Sequence, residues 1–250
     1  MSPSVHRAAA VGFQRAADAY GRGRPGYPRD GIEHLVRVLG IGPGRVVLDL
    51  AAGSGILTRS LVATRASVVA VEPIEAMRAA LTLACPAAGV IAGTAEALPI
   101  ADASVDAATV AQAFHWFDEE AAMRELHRVV REGGGLGLVW NVRDESDPVQ
   151  ASLTALMEPY RAGTPAHREG RWLDAFARAG LFTPPERATF PHEQRLDADG
   201  VVARVVSVSF IACLDEAERG DVAARVRALV GNRNEIGLPY RTDVWITRRR

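Results

Sequence analysis

VVLDLAAGSG, residues 46–55, runs an apolar strand into an acid and then into a loop of small residues. Such a loop opening onto a helix brings backbone amides close to a bound ligand. A dinucleotide fold would require G-x-G-x-x-G at this point. Counted from Ala51, that pattern needs a small residue at 56, where Ile56 stands; counted from Gly53, it needs one at 58, where Thr58 stands. The dinucleotide spacing fails, which argues against a nicotinamide oxidoreductase.

Downstream, the apolar runs SVVAVE (67–72), VIAG (90–93), VDAATVAQ (105–112) and GLGLVWN (135–141) alternate with amphipathic stretches over roughly 55–64, 75–84 and Asp118–Arg131. Continuous apolar strands separated by helices imply a parallel sheet covered on both faces, a doubly wound α/β core. In the last helix Asp118 is placed as N-cap, Met123, Leu126, Val129 and Val130 form one apolar stripe, and Gly133 is read as the stop.

Upstream, FQRAADAY (13–20) reads as a short helix and GRGRPGYP (21–28) as a turn. A second helix starts near Asp30, with Ile32, Leu35, Val36 and Leu39 on one face. Beyond Asn141, helical patterns cover 149–161, 171–179 and 215–230, a β-like segment covers 186–192, and YRTDVWITR (240–248) alternates like a final strand. The expected organisation is one domain over 1–250, with a helical cap at 1–40, a core at 41–141 and lid helices at 142–185 and 195–235.

The chain has 250 residues, 48% of them apolar, enough for a sizeable core. A formal charge of −1 with scattered basic residues leaves no footprint for a phosphate backbone, so nucleic acid is not an expected partner. All 29 Lys+Arg residues are arginine, which rules out lysine-based Schiff-base chemistry. Cys85 and Cys213 suit neither a disulfide framework nor a thiolate metal site, and a reducing cytoplasm is expected. No run approaches the ~18 apolar residues of a membrane span, so no membrane partner is expected.

Asp49, Ala51, Gly53 and Gly55 together resemble motif I of the class I S-adenosylmethionine-dependent methyltransferases, with Ala51 in place of the first glycine. Alanine serves there if its φ is not required to be positive. The resemblance extends to Glu72 ending the second strand, to GTAEALPIADASVD (93–106), and to AQAFHWF (111–117), which matches the Gln-Ala-x-His-Trp form of the type 11, trans-aconitate-methyltransferase-like branch. YGRGRPGYP (20–28) and WNVRDESDP (140–148) resemble further segments of that branch, so the likeness spans nearly the whole chain.

This resemblance implies a Rossmann-like, seven-stranded sheet, mostly parallel with the last strand antiparallel, with a helical lid from the N-terminus and from insertions after strand 5. It implies methyl transfer from S-adenosyl-L-methionine, leaving S-adenosyl-L-homocysteine, to an O, N or C nucleophile of a small organic acceptor. Displacement from a sulfonium gains mainly from orientation in a dry pocket, so no metal is called for.

By the same resemblance, Asp49 lies near the methionine amino group or the loop that cradles it, and Ala51, Gly53 and Gly55 let the cofactor approach the backbone. Glu72 accepts hydrogen bonds from the ribose diol, with Pro73 beside it. Ile74 and Met77 are placed against adenine, and Thr94, Ala95 and Glu96 at the adenine end. Ala111, Gln112 and Ala113 lie on the ligand-binding edge of the fourth strand. Tyr20 and Arg24 are expected to close over the methionine end, the guanidinium pairing with its carboxylate. His115 is read as a base, a positioning residue or a structural one. Tyr27, Trp116, Trp140, Asn141 and Arg143 are expected on the acceptor side. A catalytically silent cofactor-binding regulator is the alternative reading; the presence of motifs on both the cofactor and the acceptor edge argues against it.

Overall fold

The computed structural model describes residues 23–161, 164 and 170–250; the helix expected over 13–20 and Tyr20 lie outside them. VVLDL forms β1 (Val46–Leu50), followed by α2 (Ile56–Ala63), β2 (Ser67–Val71), α3 (Glu75–Ala84), β3 (Gly89–Ile91) and β4 (Val105–Ala111). The helix ahead of β1 is α1 (Arg29–Leu39). A 3₁₀ turn at Phe114–Trp116 leads to α4 (Glu119–Val129), β5 (Val130–Arg143) and α5 (Pro148–Met157). The chain closes with α6 (Arg171–Ala179), β6 (Glu186–Leu196), α7 (Ala198–Val206), the short α8 (Ser209–Ala212), α9 (Glu216–Val230) and β7 (Ile236–Arg248).

The seven strands form one sheet in the order β3-β2-β1-β4-β5-β7-β6. Parallel pairing joins β3 through β5, while β7 runs antiparallel to both β5 and β6. This is the mostly parallel, doubly wound sheet the sequence pattern called for. The order reverses between β1 and β4, so the carboxyl ends of these neighbours open a crevice at the switch point.

Several boundaries differ from the sequence reading: the strand read at 135–141 spans Val130–Arg143, the final strand begins at Ile236 rather than 240, and the helix read at 149–161 ends at Met157. The Asp118 carboxylate caps α4 by accepting from the Ala121 amide at 3.0 Å, as expected. The helix nevertheless ends at Val129, because Val130 pairs with Val105 and the chain passes straight into β5. Gly133, expected as the helix stop, has φ +74° inside that strand. The lid expected over 142–185 and 195–235 also divides. Leu153 and Met157 of α5 join α7, α8 and α9 in a second apolar core against the ends of β6 and β7. Trp172, Ala175 and Phe176 of α6 enter the main core instead, where a large aromatic face finds Phe114, Trp140 and Phe182 to pack against.

The glycines of β5 fix where α1 docks. A Cβ on Gly137 would stand 2.4 Å from Leu35 Cδ1 and 3.0 Å from Leu39 Cδ1, so the helix rests on bare backbone at that point. The amphipathic stripe of α1 thereby seats on the sheet, and residues 24–28, just ahead of the helix, are carried over the crevice. Asn141 Nδ2 donates to the Gly26 carbonyl at 2.7 Å and Arg24 Nη2 to the Ser207 carbonyl at 2.8 Å, tying that segment to β5 and to the helical module. Gly137→Leu is expected to cost about 1–3 kcal/mol by overpacking this contact. Denaturant unfolding measures the loss, and a stability equal to that of the parent chain would show that α1 docks without the close approach.

Candidate active site

At the carboxyl ends of β1 and β4 lies a cleft enclosing about 560 Å³, part of it continuous with solvent. Its floor is the loop from Ala51 to Ser54 with Asp49 beneath; Ala111 and Gln112 form one wall; Arg24, Pro25 and Tyr27 form the cover; Asn141 and Arg204 stand on the far side. Residues scattered over 180 positions thus meet because parallel strands deliver their loops to one edge.

The loop is held by two buried carboxylates. Asp49, 1% exposed, accepts from Thr58 Oγ1 at 2.6 Å and from Thr109 Oγ1 at 3.0 Å, linking β1 to α2 and β4. Burial pushes its carboxyl up to about 6, against the pull of the two hydroxyl donors. Glu72, 4% exposed, accepts from the Gly53 amide and the Ile74 amide, both at 2.9 Å. Burial again raises its carboxyl above the usual range, opposed by those amides and by Arg78. Each Glu72 oxygen keeps a second lone pair, and its side chain points inward beneath the loop.

Ala51 has φ +54°, so the condition under which alanine was expected to serve there is not met. Gln112, at the end of β4, has φ +60°. Two non-glycine residues held in the left-handed region, both lining the cleft, each carry backbone strain of order 1–3 kcal/mol, a pattern that concentrates at functional sites. Gly53, φ +56°, has open space where a Cβ would stand. Gly55, φ +86°, behaves differently: a Cβ would fall 2.6 Å from Leu81 Cδ1, so this glycine admits α3 rather than a ligand.

The remaining predicted residues separate into groups. Met77 is 1% exposed in the packed face of α3, and Ala95 is 3% exposed in the main core. Glu96 turns to the start of α4, accepting from the Asp118 amide at 3.1 Å. The Thr94 hydroxyl is buried without a hydrogen-bond partner, as is that of Ser54 in the cleft floor. These orphaned hydroxyls suit a polar ligand running along the strand ends. Pro73, beside Glu72, offers its carbonyl to Arg78 at 2.6 Å, while Ala113 precedes the 3₁₀ turn and packs against the main core.

Of the residues expected on the acceptor side, Tyr27 and Asn141 line the cleft, and Arg143 sits one residue pair beyond Asn141 on the same face of β5. Trp140 corrects its expected place: at 1% exposure it points to the opposite face and packs on Trp172, ring centroids 4.8 Å apart. Alternation along a strand forbids Trp140 and Asn141 from serving the same face. The Trp140 indole donates to His115 Nδ1 at 3.4 Å, and the His115 ring lies 5.1 Å from that of Trp116. Arg204 was missed by sequence reasoning. Its signal was an arginine inside the apolar run VVARVV (201–206), where a charge at a buried helix position marks a site rather than a solvated face.

A methyltransferase domain family matches residues 48–138, which span this loop and the strands on either side of it. The chain is 38% identical over 238 residues to an uncharacterized methyltransferase of Mycobacterium tuberculosis, covering 93% of each. The chain belongs to the class I S-adenosylmethionine-dependent methyltransferases. An uncharacterized methyltransferase-like protein of Schizosaccharomyces pombe is 32% identical to this methyltransferase over 92% of each chain. Its fold resembles the YcgJ protein of Bacillus subtilis, with TM-score 0.62 and 17% identity over 89% of this chain and 99% of that one. It also resembles the [4+2]-cyclase SpnF, with TM-score 0.61 and 13% identity over 100% and 99%, so the fold by itself does not name the reaction. No helix among the described residues of the methyltransferase is long and apolar enough to cross a membrane.

The raised carboxyl of Asp49 predicts a signature in the free enzyme. A folded-state pKa near 6 against an ordinary 3.8 means this group favours folding most below about pH 4, and that contribution is lost as pH rises through 6. The stability difference between the parent chain and Asp49→Asn should therefore fall by roughly 2–3 kcal/mol between pH 4 and 7 and level off above. Denaturant titrations across that range check it. A flat difference would mean that Asp49 is ionised throughout.

Proposed function

We propose that this chain transfers the methyl group of S-adenosyl-L-methionine to an O, N or C nucleophile of a small organic acceptor. The observation that carries this reading is the cleft at the switch point, where a strained small-residue loop with the orphaned Ser54 hydroxyl and the buried Asp49 faces Arg24 and Arg204. When bound, the cofactor supplies an electrophilic methyl on a sulfonium. The chain's part is to hold the reacting partners in line and to exclude water.

In this reading Asp49, Ala51, Gly53, Ala111, Gln112 and Arg24, with Tyr20 from the N-terminal segment, hold the methionine end. Glu72, with Pro73, Met77, Thr94, Ala95, Glu96 and Ala113, shapes the ribose and adenine end. Within that group the Glu72 oxygens and the Thr94 hydroxyl are the atoms with hydrogen-bonding capacity to give, while Met77 and Ala95 act through packing; Gly55, at the end of the loop, acts through the approach of α3. Tyr27, Asn141 and Arg143 face the acceptor, with Trp116 at the rim and Trp140 acting through His115.

The contact from Trp140 supports positioning over base catalysis for His115. Nδ1 accepts from the indole, which leaves the proton of the neutral ring on Nε2. A ring in that tautomer donates a hydrogen bond from Nε2 and orients the acceptor's lone pair; it takes up no proton there.

Calorimetry with S-adenosylhomocysteine and a labelled-methyl screen over small carboxylates, phenols and amines test the function. No binding of S-adenosylhomocysteine, or binding without turnover of any acceptor, defeats it. Glu72→Ala is expected to weaken cofactor binding by about 1–3 kcal/mol, since ribose hydroxyls and the Gly53 amide both lose a partner; an unchanged dissociation constant removes Glu72 from the site. His115→Ala is expected to lower kcat/KM for the acceptor while the shape of the pH–rate profile persists. Disappearance of an acidic limb near pH 6–7 in the variant would identify a base instead.

A further inference from the structure

Across the carboxyl end of the sheet, β6, β7 and β5 present one row of polar residues. Strand register pairs His192 with Tyr240 and Tyr240 with Arg143, so the three share a face. Arg204 of α7 closes over this row, its Nε donating to the Tyr240 hydroxyl at 3.2 Å and its guanidinium carbon 6.0 Å from the tyrosine ring. Arg204 is 7% exposed and lines the cleft, and among the described residues its Nη1 is buried with no hydrogen-bond partner, as is His192 Nε2.

The charge balance of this pocket is one-sided. Among the described residues, Arg143 makes one side-chain hydrogen bond, to the Met157 sulfur at 3.7 Å. Neither Arg143 nor Arg204 has a carboxylate within ion-pair distance among the described residues. Desolvation, then the cations Arg204, Arg24 and Arg161, push the Arg143 guanidinium down to about 9 against the opposing pull of Tyr240, whose own hydroxyl, despite desolvation, is held below its usual range by Arg204 and Arg143. Arg161 is ion-paired to Glu158 at 3.4 Å, and Asp49, the acid that lines the cleft, gives both oxygens to Thr58 and Thr109. Burying the Arg204 guanidinium, with Arg143 half-buried beside it and no carboxylate paired to either among the described residues, costs free energy that an anion entering from the cleft restores.

We propose that the acceptor is a small oxyanion, a carboxylate or phosphate whose charged group seats between Arg204 and Arg143 beside Tyr240. This deepens the methyltransferase reading and rests on it. The fork of a guanidinium matches two oxygens of such a group, and Nη1 of Arg204 is the donor held in reserve for one of them. An oxyanion clasped this way has its lone pairs engaged and is a poor nucleophile. The group at the arginines therefore anchors the molecule, and the methyl goes to another atom of it, nearer the Gln112–Asn141 side of the cleft.

The test is calorimetric titration of the full chain, saturated with S-adenosylhomocysteine and at constant ionic strength, with malonate, inorganic phosphate and the neutral isostere malonamide. Saturable binding of malonate or phosphate at least tenfold tighter than malonamide is expected; malonate in preference to phosphate assigns a carboxylate, and the reverse a phosphate. Arg143→Met and Arg204→Met should each weaken anion binding at least tenfold while Arg143→Met leaves the S-adenosylhomocysteine dissociation constant within threefold. Removing an unpaired buried charge should also leave Tm of the ligand-free Arg204→Met variant unchanged or raised, whereas a merely structural arginine would lower it. Equal binding of malonamide and the anions, no saturable anion binding, or anion affinity untouched in both variants overturns the proposal. Should S-adenosylhomocysteine itself fail to bind, the cofactor reading falls instead, so the two failures are told apart.

Discussion

Two buried carboxylates at the tips of neighbouring parallel strands hold this site together. Asp49 and Glu72 end β1 and β2, and between them they engage Thr58, Thr109 and the amides of Gly53 and Ile74. The loop from Ala51 to Gly55 has three of its five residues in the left-handed region, and one of them is an alanine. A backbone of that kind persists only where its surroundings over-determine it. The carboxylates supply that determination by giving the loop's Gly53 amide and the first turn of α2 a fixed partner in a dry environment, where an unmade hydrogen bond is expensive. Both carboxyls titrate above their ordinary values for the same reason.

The rest of the molecule arranges what faces this loop. The bare backbone at Gly137 lets α1 seat on β5, which sets the cover of Arg24 and Tyr27 over the cleft, and Asn141 pins that cover through Gly26. The sheet then divides labour by strand alternation. Trp140 and the aromatic cluster with Trp172 and Phe176 fill the face packed by α6, while Asn141 and Arg143 serve the opposite one. The second apolar core beneath α7 and α9 carries Arg204 to the same place. The groups proposed for cofactor and for acceptor are thus mounted on separate packed modules that meet at the switch point.

Read from the chain alone, the doubly wound core, its strand sequence, the loop at 51–55 and the family were legible. Each is encoded locally: apolar runs of strand length, amphipathic periods, an acid followed by small residues. The Asp118 cap was legible for the same reason, since the carboxylate and the amide it serves lie three residues apart. What misled was also local. Gly133 read as a helix stop, although pairing with β4 had already drawn Val130 into a strand, and Trp140 read as a site residue beside Asn141 although the pleat turns them apart.

The sequence by itself determined that this chain builds a parallel α/β sheet with a small-residue loop between two acids, because those preferences are carried by neighbours along the backbone. Only the tertiary structure decided that Glu72 braces the loop from beneath, that Ala51 takes a left-handed conformation, and that Arg204 comes to lie over the Tyr240–Arg143 pair. These facts depend on contacts between residues 19 to 97 positions apart and on the direction a side chain takes at a pleat or a helix turn. No period or spacing records them, since burial and charge balance come into being only when the elements pack.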